Sequence, residues 1–164
     1  MIKIDVFIQN KNWKKYISNP SRYINNKINL INSSIKYIKS KAKLINSSLK
    51  FIKNKKINFS ILLAGSKEVK ILNKKFRKKI KSTDVLSFPF YTATDIRKLK
   101  NRNVYLGDII LNFYKIDKKN FKKDFNRLWI HGFLHLLGYK HYKDKDYYKM
   151  DRIEKLILKK IENN

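Results

Sequence analysis

Every histidine of the chain falls within one stretch, His131-Gly132-Phe133-Leu134-His135-Leu136-Leu137-Gly138-Tyr139-Lys140-His141. His131 and His135 stand four residues apart, so on a helix their rings project from one face about a turn apart. Gly138 can take the left-handed conformation that ends a helix, which would swing His141 back toward the same point. Three neutral imidazoles suit one zinc ion per chain and leave a fourth tetrahedral position for water, whose pKa zinc lowers to around 7. A carboxylate closing that position would make the site structural instead. The plainer alternative is three unrelated histidines, one in the core, one on the surface and one at a helix end.

The chain has no cysteine, so any metal must be held by histidine, carboxylate or backbone oxygen. Gly132 occupies the position where His-Glu-x-x-His peptidases carry their general base, which excludes that chemistry there. A glycine inside a helix costs about 1 kcal/mol relative to alanine, so a close approach by substrate or by another element is expected at Gly132.

The elements that would position these residues can be read from periodicity. Ile2, Ile4, Val6 and Ile8 alternate as in a half-buried strand over residues 2 to 9, and Ile57, Phe59, Ile61 and Leu63 repeat the pattern. Between them lies a Lys/Asn/Ser-rich helical region with a near-repeat, Leu30 to Lys39 resembling Leu44 to Lys53; slippage in a biased gene explains it more simply than function does. Ser66 is placed to cap a helix whose apolar residues Val69, Leu72, Phe76 and Ile80 recur at helical spacing. Strands are expected over Val85 to Phe90 and Val104 to Leu111, the first at an edge or ended by Pro89. A helix carrying Phe121, Phe125, Leu128 and Trp129 leads into the histidines. Asp146 is placed to cap a last helix with Met150, Ile153, Ile157 and Ile161 as its buried stripe. Residues 1–164 thus read as one domain, a small sheet with helices packed on it.

A formal net charge of +28 favours polyanionic partners, because each Lys or Arg set against phosphate releases condensed counterions. The N-terminus alternates polar and apolar residues without a leader pattern, and no stretch approaches a membrane span. A cytoplasmic location and no membrane partner are expected.

The histidine stretch resembles the signature of the YbeY family, His-Gly-x-Leu-His-Leu-x-Gly-Tyr-Asp-His, at every fixed position except that Lys140 stands in place of Asp. Two further blocks match in order: Leu72-Asn73-Lys74-Lys75-Phe76-Arg77 running on to Thr83-Asp84-Val85-Leu86-Ser87-Phe88-Pro89, and Leu106-Gly107-Asp108-Ile109-Ile110. The resemblance implies an α+β fold with a small mixed β-sheet and a zinc site at the end of a helix, held by His131, His135 and His141. It implies cleavage of single-stranded RNA, maturation of ribosomal RNA at the 3′ end in the small ribosomal subunit, and ribosome quality control. It also implies a catalytic role for the residue matching Arg77, beside His131. A planar, always-charged guanidinium can hold a phosphate through two bonds and stabilise charge that develops in phosphodiester cleavage.

Asp84 is expected to orient Arg77 or to cap the turn before its strand, and Asp108 to accept an imidazole N–H or to make a strand-end hydrogen bond. Ser87 and Phe88 are expected along the RNA path, or in the core. A rival from another class is a non-catalytic, zinc-stabilised RNA-binding assembly factor.

Overall fold

The computed structural model describes residues 1–42, 55–140 and 143–162. His141 and the second copy of the near-repeat lie outside the described residues. Alternating apolar residues build β1 (Ile2–Ile8) and β2 (Lys56–Ala64), which pair in parallel, Ile2 opposite Ile57 and Ile8 opposite Leu63. The crossover between parallel neighbours requires a long connection, and α1 (Pro20–Ala42) supplies its described part. After β2 come α2 (Ser66–Arg77), β3 (Val85–Pro89), the short α3 (Asp95–Lys98) and β4 (Asn103–Asn112). The chain closes with α4 (Phe121–Leu136) and α5 (Asp144–Glu162). Strand order is β1-β2-β4-β3, with β3 antiparallel to β4 at one edge, so the sheet is mixed and the fold is α+β as expected.

One face of this sheet carries nearly all the core. Ile57, Phe59, Ile61 and Leu63 of β2 and Val104, Leu106, Ile109 and Leu111 of β4 bury against apolar residues of α1, α4 and α5. Phe59 stacks on Phe133 of α4 with ring centroids 5.0 Å apart. Trp13, fully buried, donates its indole N–H to Ala64 O at 3.1 Å and meets Phe113, Phe121 and Phe125. The expected stripe of α5, Met150, Ile153, Ile157 and Ile161, is buried throughout. Asp146 does not cap that helix, which begins two residues earlier at Asp144.

The other face holds a small cluster, Ala64, Val69, Leu86 and Ile110, with α2 over it. Here the stripe expected of α2 holds only in part. Helix α2 ends at Arg77 because Lys78 turns left-handed (φ 58°), its N–H reaching back to Asn73 O and Lys74 O. Ile80, beyond that turn, is exposed rather than core, and so is Phe76 in the last helical turn, past the end of the cluster. Ser66 is not the cap either: Gly65 holds that position, and the Ser66 hydroxyl donates to Asn112 Oδ1 at 3.1 Å.

β3 is an edge strand. Asn112 N–H donates to Asp84 O and Phe90 N–H to Leu106 O, so the backbone groups of even-numbered residues face β4 and those of Val85, Ser87 and Pro89 face the open side. Pro89, with no N–H to offer, fits that side.

Candidate active site

The histidines of α4 are held by the way its sequence packs and ends. Gly132 sits where the helix crosses the sheet. A Cβ there would lie 2.8 Å from Ile109 Cγ2 and 3.2 Å from Ser87 Oγ. Of the two causes expected for this glycine, the structure supplies the second, another element in close approach. His131 and His135, on the neighbouring side of the helix, are left half-buried.

The helix ends in a left-handed turn at Gly138 (φ 85°). Gly138 N–H donates to His135 O at 2.9 Å and Tyr139 N–H to Leu134 O at 3.0 Å, the paired bonds of a Schellman motif. That turn brings the Tyr139 carbonyl back to His135, whose Nδ1 lies 2.9 Å from it. His131 Nδ1 lies 2.9 Å from Glu154 Oε2 of α5, a carboxylate with 13% of its side chain exposed. Both Nδ1 atoms thus face acceptors. In the neutral rings each Nδ1 carries the proton, and each Nε2 presents a lone pair.

Those two Nε2 atoms lie 3.1 Å apart, with ring planes at 81°. Two lone pairs converging at that distance repel unless a cation or a proton stands between them. Ligands at 2.0–2.1 Å from a tetrahedral zinc are separated by about 3.3 Å, close to the spacing found. The residues present therefore fit a zinc ion. Among the described residues no third His, Asp or Glu completes a ligand set, and His141 lies outside them.

Glu154 is the site residue that the sequence reading missed. Acceptors on the second nitrogen of ligating imidazoles orient the ring and raise its basicity, and with 12 acidic residues in the chain the candidates were few. Its distance from His131 in sequence hid it. Asp108, proposed for that role, is elsewhere. Gly107 (φ 128°) forms a bulge in β4, seen as a register shift between Asn58 and Ser60 of β2. The extra residue turns Ile109 toward α4 and Asp108 to the opposite face, where its Oδ1 accepts from Ser60 Oγ and from the Tyr105 hydroxyl, each at 2.7 Å. Burial raises the Tyr105 pKa above its ordinary value, and the charges of Asp108 and Asp5 raise it further.

Arg77, exposed at the end of α2, donates from Nη2 to Ser87 O at 3.1 Å and lies 6.0 Å from the centre of the Phe88 ring. Asp84 does not orient it: its Oδ1 accepts from Val85 N–H and the Thr83 hydroxyl, both at 2.9 Å, which is the capping alternative. Ser87 is the link between the two halves of the site. Its carbonyl holds Arg77 on the open edge of β3, and its buried hydroxyl lies against Gly132, next to His131. Lys140 is exposed.

Comparison with known proteins identifies the family and supports the fold. The family model described as Endoribonuclease YbeY matches residues 22–162. A protein of Pelagibacter ubique named Endoribonuclease YbeY is 42% identical, over 98% of this chain and 97% of its own length. One of the same name from Ehrlichia canis is 34% identical, over 98% of this chain and 93% of its own. A solution structure of a Thermotoga maritima protein superposes with a TM-score of 0.57 at 24% identity, covering 98% of this chain and 89% of that one, which supports the fold. No helix among the described residues is long and apolar enough to cross a membrane.

Proposed function

The chain belongs to the YbeY endoribonuclease family, and from that premise we propose that it is a zinc-dependent endoribonuclease cutting single-stranded RNA, with one ion on His131, His135 and His141. The observation that carries the metal is the convergence of the two Nε2 atoms at 3.1 Å while both Nδ1 atoms face acceptors. Bound there, zinc supplies the Lewis acidity that makes a water nucleophilic near neutral pH. Glu154 and the Tyr139 carbonyl hold the rings in the tautomer that ligation needs. Arg77 offers a fork to the scissile phosphate and neutralises charge as the bond breaks. Family resemblance supports small-subunit ribosomal RNA as the substrate, matured at its 3′ end in the cytoplasm, and a role in ribosome quality control. The net charge of +28 supports a long polyanion over a small phosphorylated molecule.

The test is purified protein on single-stranded and duplex RNA, with chelator and zinc restoration, beside Arg77→Lys and His135→Ala. Expected are one zinc per chain, cleavage of single strands lost on chelation, and loss of most metal in His135→Ala. Arg77→Lys should keep the metal and cut at least about tenfold more slowly, since a point charge does not reproduce a planar fork. Tight RNA binding without metal-dependent cleavage would replace this reading with that of a binding factor. Products ending in a cyclic phosphate would assign the attack to the ribose 2′-hydroxyl rather than to water.

A further inference from the structure

Two apolar side chains left in water, Phe76 at 57% exposure and Ile80 at 69%, sit within Lys74-Lys75-Phe76-Arg77-Lys78-Lys79-Ile80-Lys81, the end of α2 and the turn after it. Neither belongs to the core, since the cluster under α2 stops at Leu72 and Phe88. Phe88 meets the Phe76 ring near a right angle (62°) with centroids 5.1 Å apart, and so supports it from the sheet. Lys75 Nζ lies 5.3 Å from the Phe76 centroid. Among the described residues, none of the six cations in this stretch is in an ion pair.

A supported aromatic ring open to solvent and surrounded by cations suits a partner that offers flat apolar faces and negative charge together. A duplex offers phosphates but keeps its base faces stacked, whereas a single strand offers both. We propose that Phe76 is a stacking platform for an unpaired base of the RNA substrate, with Lys75, Lys78 and Lys79 on the flanking phosphates and Ile80 extending the apolar surface. Arg77 follows Phe76 in sequence and bonds to Ser87, whose side chain touches Gly132 beside His131. The platform, on the opposite face of the sheet, is thus linked to the histidine site through Arg77 and Ser87 at the open edge of β3, and on this proposal it receives a nucleotide flanking the one being cut. The inference rests on RNA being the substrate, and its test is read from binding rather than from cleavage.

Trp13 and Trp129 are fully buried, so the substitution Phe76→Trp adds an exposed fluorophore to the full chain. A short single-stranded oligoribonucleotide should quench it, while the same sequence as duplex, and inorganic polyphosphate as a charge-only probe, should bind without quenching. Phe76→Ala should weaken single-strand binding by about 5- to 150-fold, the range one lost base stack produces. Phe76→Tyr should keep the affinity, and polyphosphate binding should not change in either variant. If Phe76→Ala folds poorly, Phe76→Leu retains apolar contact with Phe88 without a ring and supports the same comparison. Equal losses for all three ligands, or no loss for the single strand, would overturn the platform. A protein that binds this way yet never cuts RNA would end the hydrolase reading and leave the platform intact.

Discussion

The two faces of the sheet differ in what they bury and in what they leave exposed. On one face, α1, α4 and α5 cover β2 and β4 with a continuous core that includes Trp13, Trp129 and the Phe59–Phe133 stack. On the other, Val69 of α2 closes over Ala64, Leu86 and Ile110, and Phe76 and Ile80 are left in water. The face that must fix two imidazoles within a fraction of an ångström is the densely packed one. The face on which we propose that RNA lies is thinly packed, basic and aromatic. Precision in a metal site comes from surrounding residues that cannot move, whereas a stacking surface needs only support from below.

This contrast predicts unequal costs for like substitutions. Phe133→Ala, beneath the histidines, should cost about 3–5 kcal/mol of unfolding free energy, and Phe76→Ala less than about 1 kcal/mol. Denaturant titration of both variants measures the difference, and similar losses would mean that the faces are not distinct. Smaller, and confined to the metal, is the effect of Glu154→Ala. Losing an acceptor behind a ligating imidazole should weaken zinc binding about 10- to 100-fold without unfolding the chain. Chelator competition reads it, and unchanged affinity would reduce Glu154 to a helix-packing contact.

Lys140→Asp should tighten zinc binding by less than about tenfold, since an ammonium near the metal repels it but a flexible Lys can turn its head into water. The same competition assay applies, and an unmoved affinity would place the Lys140 charge away from the ion. The smallest effect belongs to the opposite face. Asp108→Asn should leave zinc affinity within about twofold and lower the Tyr105 pKa, because the carboxylate charge adds to the burial that holds it up. Ultraviolet titration at alkaline pH follows the phenol. A large change in zinc affinity would return Asp108 to the metal side.

Residues that report their own burial made much of this fold readable. The alternations at Ile2 to Ile8 and Ile57 to Leu63 gave two strands, and Met150 to Ile161 gave the inner stripe of α5. Periodicity says which face a residue takes and not where a helix stops. Ile80 was misplaced because Lys78, not a glycine, turns left-handed, and Phe76 because the cluster under α2 ends a turn before the helix does. Asp108 was misplaced because strict alternation from Val104 and Leu106 carries it to the inner face, and the bulge at Gly107 reverses that. The spacing of His131 and His135 brought their rings together, and Gly138 marked the left-handed stop, since helix pitch and such a stop are local. Glu154 was not legible, because the packing of α5 on α4 decides which carboxylate meets His131.

The open edge of β3 has a further consequence. A strand with unpaired donors and acceptors is a template on which another copy can add a strand. Here Pro89 has no donor, the Asp84 carboxylate occupies Val85 N–H, and Arg77 occupies Ser87 O. The guanidinium that we propose for phosphate thus also covers an acceptor of the open edge, and a chain without it is expected to lose solubility along with cleavage. Light scattering of Arg77→Ala at rising concentration, with and without RNA, separates the two losses.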